Sequence, residues 1–186
     1  MARKICERAW WADLVTVSLT HPPAAQILAR LGSGFRTLVH RCARPVLAVP
    51  TFAGAAVAPA RDTCKLERAL LAYDGSPKAQ EALFVATYLA GNWHIPLVVL
   101  SVTEKNQAAP EPLSQAQAYL ASRNVPATFV NESGPVVETI LQTAAAQQSN
   151  LMIMGGYGLN PMLEVVLGSS VDQILRQTAQ PLLICR

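Results

Sequence analysis

The residues of this sequence best suited to hold a ligand are glycines and hydroxyls gathered around two turns. A short apolar run ends in Met154-Gly155-Gly156-Tyr157-Gly158, and after nine intervening residues come Gly168-Ser169-Ser170. Glycines let backbone N–H groups approach an anion with no Cβ in the way. A helix that starts at Gly168-Ser169-Ser170 offers unpaired N–H groups and a partial positive charge, and the hydroxyls of Ser169 and Ser170 add donors. The chemistry implied is phosphate binding. The same residues also suit a plain strand-to-helix turn with Ser169 as a helix cap, and the glycines alone do not decide between the two. No Lys follows Gly168, so this is not a P-loop, and no GxGxxG follows a first strand.

A second turn lies upstream, where Tyr73-Asp74-Gly75-Ser76-Pro77 ends another apolar run. Asp74 is either a carboxylate available to a ligand or an ordinary turn residue before Gly75. Acid–base machinery is thin. His94 falls in a turn, where a solvated imidazole is the plain reading, and neither Glu132 nor Glu138 pairs with another carboxylate. No catalytic triad and no metal-ligand cluster stands out. The four cysteines, Cys6, Cys42, Cys64 and Cys185, form no CxxC and no Cys/His spacing, and read as free buried thiols of a reducing compartment.

The elements that must carry these turns alternate. Ala69–Tyr73 reads as a strand; Ser76 caps a helix with Pro77 at its first position. Ala82, Leu83, Ala86 and Leu89 then recur at helical spacing. Leu97–Val102 is a continuous apolar strand, followed by a helix near Leu113–Ser122 and a short strand over Ala127–Val130. Gly134-Pro135 opens a helix bearing Val137, Ile140, Leu141 and Ala144, and Leu151–Met154 and Leu182–Cys185 complete five strands. Strands apolar on both faces, alternating with helices, predict an α/β fold: a doubly wound five-stranded parallel sheet. In such sheets ligands sit beyond the carboxyl ends of the strands, which is where both turns fall.

Residues 1–50 echo the end of this unit. Asp13–Val17 answers Asn150–Met154, Gly32-Ser33 answers Gly168-Ser169, and Pro45–Val49 answers Pro181–Cys185. The segments from Gly-Ser onward align without a gap, at an offset of 168 − 32 = 136 residues. The expected organisation is a partial β-α-β copy over residues 1–50, an Ala/Pro/Gly-rich linker over 51–65, and a complete domain over 66–186. The first copy has Ser18-Leu19-Thr20-His21 where the second has its glycines, so it is expected to bind no nucleotide. A fragment of that size cannot bury its own core. Apolar surface is therefore expected around Leu14–Val17 and Phe35–Arg41, and with it self-association.

Gly155-x-x-Gly158-x9-Gly168-Ser169 resembles the nucleotide-binding signature of the universal stress protein family. The rest of the pattern agrees: Tyr73-Asp74-Gly75-Ser76, Leu100-Ser101-Val102, Gly134-Pro135 and Pro181. The resemblance covers residues 66–186. It implies an adenine-nucleotide alpha-hydrolase-like fold and ATP as the ligand. The carboxylate of Asp74 and the backbone of Val102 would hold the adenosine, Gly155, Gly158 and Gly168 the ribose and phosphates, and Ser169 and Ser170 the phosphates. Whether Mg or Mn accompanies the phosphates does not follow from the resemblance. Two departures lower the expected phosphate affinity: Leu159, Pro161, Met162 and Leu163 are apolar, and Glu164 is acidic.

The resemblance also implies pairing of fifth strands, either in a homodimer or within the chain as a pseudo-dimer. Val46–Val49 is thus expected antiparallel to Leu182–Cys185, which would cover an edge otherwise open to aggregation. The functional expectation is an ATP-binding, regulatory stress-response protein with no classical active site. The alternatives are an interaction module of the same fold without nucleotide, or a slow ATPase. The net charge of +3, with no Lys/Arg run, gives no nucleic-acid footprint, and no apolar window is long enough for a membrane span. Glu7 and Asp13 interrupt the apolar stretch after Arg3 and Lys4, so no secretory leader is read and a cytoplasmic protein is expected.

Overall fold

A computed structural model describes residues 1–21, 33–52, 66–103, 111–156 and 170–186. In chain order its elements are α1 (Ala2–Arg8), a 3-10 turn (Ala9–Trp11), β1 (Val15–His21), α2 (Ser33–Arg41) and β2 (Val46–Phe52), then β3 (Ala69–Ala72), α3 (Pro77–Trp93) and β4 (Leu97–Thr103). These are followed by α4 (Glu111–Ser122), β5 (Ala127–Ser133), α5 (Val136–Ala146), β6 (Leu151–Gly155), α6 (Ser170–Gln177) and β7 (Leu182–Cys185).

The strands form one seven-stranded sheet in the order β1-β2-β7-β6-β3-β4-β5. Every neighbouring pair is parallel except β2–β7, which is antiparallel. The five strands expected from residues 66–186 are all present, joined in the doubly wound order with β3 at the centre. The expected pairing of Val46–Val49 with Leu182–Cys185 is present too, within the one chain: Val46 faces Ile184, Leu47 faces Leu183 and Ala48 faces Leu182.

Strand residues alternate between two cores, because successive side chains leave opposite faces of a pleated strand. Leu70, Leu100, Met152, Leu182 and Ile184 point to one side, where Phe35 and Leu38 of α2, Ile140 of α5 and Ile174 of α6 meet them. Leu71, Val99, Ile153 and Leu183 point to the other, against Ala82 and Leu83 of α3 and Leu120 of α4. Side chains this fully removed from water stabilise by about 1.5–3 kcal/mol each.

The apolar surface expected on α2 is not there. Phe35, Leu38 and Val39 are buried. The antiparallel β2–β7 joint lays α2 on the same face as α5 and α6, which share one core with it. On β1, Val15, Val17 and Leu19 lean on that core while Thr16 and Ser18 are exposed on the opposite face. That alternation suits an edge strand half in water. β2 continues through Thr51 and Phe52, both paired with β1, so the expected linker loses its first two residues to the strand.

α1 has no counterpart among the expected elements. It carries no capping side chain, and the 3-10 turn that follows it is held from outside. Arg44, beyond the end of α2, donates to the carbonyls of Ala9 at 3.4 Å and Trp10 at 3.3 Å.

Candidate nucleotide site at the strand ends

The β3–α3 turn is built as the sequence anticipates. Ser76 Oγ accepts from Ala79 N–H at 3.2 Å and caps α3, with Pro77 in its first turn. Gly75 sits at φ +77°, a region costly for any residue with a Cβ. Asp74 Oδ1 accepts the Ser76 N–H at 2.9 Å. The carboxylate therefore does hold the turn, as its plain reading required, and it is also exposed.

Sheet register gathers the other residues around it. Ala72 pairs with Leu100 on β4 and Met154 on β6. Asp74 comes two residues after this last β3 pair, as Val102 comes two after Leu100 and Gly156 two after Met154. The ladder continues in that direction, since Tyr73 N–H donates to Leu100 C=O at 2.8 Å. Val102 is half-buried and pairs with Glu132 at the end of β5. The helices that follow β3 and β6 lie on opposite faces, α3 on one core and α6 on the other. This is the topological switch point of the sheet, where doubly wound folds place their ligands. Asp74, Val102 and Gly155 all lie at its rim, where these strands end.

Gly155 has a packing reason to be glycine that sequence reasoning missed. A Cβ there would stand 2.9 Å from Ala79 N and 2.9 Å from Lys78 C, so β6 ends hard against the first turn of α3. The neighbouring Gly156 donates its N–H to Cys185 C=O, and a Cβ on it would lie 3.4 Å from Val39 Cγ1 on α2. The first fifty residues thus reach the end of β6. Ser170, half-buried, opens α6. Gly158, Gly168 and Ser169 lie outside the described residues, so the phosphate end of the expected site is represented by Gly155 and Ser170 alone.

Electrostatics around these strand ends are mild. Burial raises the Tyr73 hydroxyl above its usual range, with the Asp74 charge adding to the effect. The hydroxyl donates to Gln80 Oε1 at 2.7 Å. Cys185, at the end of β7, is pushed up to about 12 by burial and then by Glu81. His94 caps the end of α3 in the left-handed conformation and is exposed, the solvated turn residue expected. Glu138 accepts from Gln142 at 3.0 Å. Among the described residues no cluster of three metal-ligating side chains occurs, and no helix is long and apolar enough to cross a membrane.

The fold and the rim residues can be set beside known proteins. A universal stress protein of Synechocystis sp. is 26% identical over 179 residues, which is 94% of this chain and 58% of that protein. The crystal structure of a universal stress protein from Archaeoglobus fulgidus DSM 4304 superposes with a TM-score of 0.76 at 20% identity, over 100% of this chain and 64% of that one. A universal stress protein solved in complex with cAMP superposes with a TM-score of 0.55 at 16% identity, over 64% of this chain and 97% of that one. The chain thus spans about three fifths of the length of the first two relatives. The family model for universal stress proteins matches residues 65–186. The chain belongs to the universal stress protein family.

Proposed function

We propose that the chain binds an adenine nucleotide, ATP, in the crevice between β3 and β6 and acts as a regulatory stress-response protein rather than as a catalyst. The observation that supports this reading is the register of β3, β4 and β6, whose last pairs join Ala72 to Leu100 and Met154, one or two residues before Asp74, Val102 and Gly155. An exposed carboxylate beside two strand ends suits a ribose or adenine hydrogen-bond donor. Ser170, at the first turn of a helix, suits a phosphate oxygen. The residues present fit the ligand class, and a family member solved with cAMP supports an adenine ligand. Bound nucleotide would supply the signal, its presence favouring one state of the surrounding loops.

The organisation proposed with it is a partial copy over the first fifty residues joined to a complete domain over 66–186. The β2–β7 joint would then be the pseudo-dimer contact. A second reading, an interaction module without nucleotide, has one observation in its favour: packing against Lys78 and Ala79 accounts for Gly155 with no ligand. The two separate on a simple measurement. The purified full chain is denatured and its supernatant read by absorbance and chromatography for adenine nucleotide, with calorimetry against added ATP. Binding supports the first reading. No bound nucleotide and no heat with ATP supports the second.

A further inference from the structure

Charge is unevenly shared along this chain. Residues 1–52 hold seven Lys and Arg against two Asp and Glu, a net of +5. Residues 53–186 hold eight against ten, a net of −2, and the two together give the +3 of the whole. An asymmetry of this kind points to an anionic partner for the basic part. The fold gathers that part at one end, since β1 and β2 finish the strand order there and α1 packs on α2.

At the same end two indoles are held in water. Trp10 is 67% exposed and Trp11 93%, and Leu14 is exposed as well. Their backbone is pinned. Arg44 donates to the Trp10 and Ala9 carbonyls, Ala9 is buried, and Ala12 N–H closes the turn on Ala9 C=O at 3.1 Å. α1 supplies charge beside them. Ile5 and Cys6 pack on the core, so at 3.6 residues per turn Arg3, Lys4, Glu7 and Arg8 fall on the outward side, where all four are exposed. Arg3 and Glu7 pair at 3.4 Å. Lys4 and Arg8 are then the excess charge of the helix, joined by Arg41, exposed at the end of α2, and opposed by Asp13.

An exposed apolar patch rimmed by charge marks a binding surface. Paired indoles suit the headgroup zone of a bilayer, which accommodates both the apolar ring and its polar N–H. Nucleic acid suits the patch less, for want of a Lys/Arg run. A second copy docked on the same patch would set like charges against like. We propose that α1 and the Trp10-Trp11 turn dock this protein on an anionic lipid bilayer. The indoles seat among the headgroups, and Lys4 and Arg8 meet the lipid phosphates. The contact is peripheral and reversible, and it requires nothing of the nucleotide site.

The test floats the full chain with vesicles of phosphatidylcholine and phosphatidylglycerol in equal parts, and with vesicles of phosphatidylcholine alone. The chain should float with the first and not with the second, and raised salt should release it. Trp93→Phe, an exposed position on α3, leaves Trp10 and Trp11 as the remaining indoles, and their emission should shift to the blue on the mixed vesicles. A basic residue near an anionic surface is worth roughly fivefold, so Lys4→Gln with Arg8→Gln should weaken association about 25-fold. Trp10→Ser with Trp11→Ser should weaken it about tenfold or more. All four side chains are exposed, so thermal melts of both variants should match the parent. Equal flotation with the two vesicle types, or flotation unchanged in either variant, would overturn the proposal. So would no flotation at all, whether the patch instead bound single-stranded RNA or joined two copies through its tryptophans.

Discussion

Asp74 has two jobs in this account, and two substitutions separate them. Its Oδ1 accepts the Ser76 N–H at 2.9 Å, and its charge faces solvent at the crevice rim. Asp74→Asn keeps an acceptor for Ser76 and removes the charge. Asp74→Ala removes both. A hydrogen bond to a charged acceptor is worth about 1.5–3 kcal/mol and a neutral one about 0.5–1.5. Asparagine should therefore weaken ATP by roughly 1 kcal/mol, about fivefold, and alanine by roughly 1–3 kcal/mol. Stability should follow the other pattern. Only alanine loses the turn hydrogen bond, an exposed one worth about 0.5–1 kcal/mol, which lowers Tm by about 1–4 °C in a chain of this size. The assays are calorimetry with ATP, the same with free tripolyphosphate, and thermal melts of each variant. Tripolyphosphate carries no adenosine, so neither variant should weaken it much. Equal loss for both ligands would mean that Asp74 acts through folding. Wild-type affinity for ATP in both variants would refute its ligand role outright.

Three further outcomes follow from the packing. Gly155→Ala places a Cβ 2.9 Å from the α3 backbone, so the helix start must shift; we expect a loss of about 1–3 kcal/mol by chemical denaturation, and an unchanged midpoint would refute the close contact. Cys185 titrates near 9.0 when unfolded and at about 12 when folded, so its contribution is complete below pH 9 and lost as pH rises toward 12. Three pKa units correspond to at most about 4 kcal/mol, and Cys185→Ala should flatten the alkaline fall in stability, whereas an identical fall in the variant would contradict the burial argument. Deleting residues 1–52 uncovers the β7 edge and removes more than a third of one core, so light scattering should report more chains per particle and hydrogen exchange over Leu182–Cys185 should change. A truncated chain matching the intact one in both would refute the role given to the β2–β7 joint.

The sequence was informative where a local rule acts alone. Ser76-Pro77 announced the α3 cap, and the doubly apolar runs announced a covered parallel sheet. Strand ends were less legible. β2, β4 and β5 run on through Phe52, Thr103 and Ser133 because their ladders continue past the apolar residues, and hydrogen bonding asks nothing of the side chain. Tertiary facts were illegible for a different reason. The burial of Phe35 and Leu38 depends on which face the antiparallel joint gives to α2, and no local pattern encodes that face. α1 was missed because it is short and uncapped, and the turn after it is held by Arg44, more than thirty residues away. Gly155 looked like a ligand glycine by motif; only the approach of Lys78 and Ala79 exposes its second reason.

The most direct test of the nucleotide site is an ATP titration of the full chain followed residue by residue by amide NMR. The account predicts saturable shifts concentrated at Asp74–Ser76, Ser101–Thr103, Gly155-Gly156 and the first turn of α6, with the ends of the strands on the opposite side of the sheet silent. Shifts absent at saturating ATP, or centred on the exposed Trp10-Trp11 segment or the outer face of α3, would contradict it.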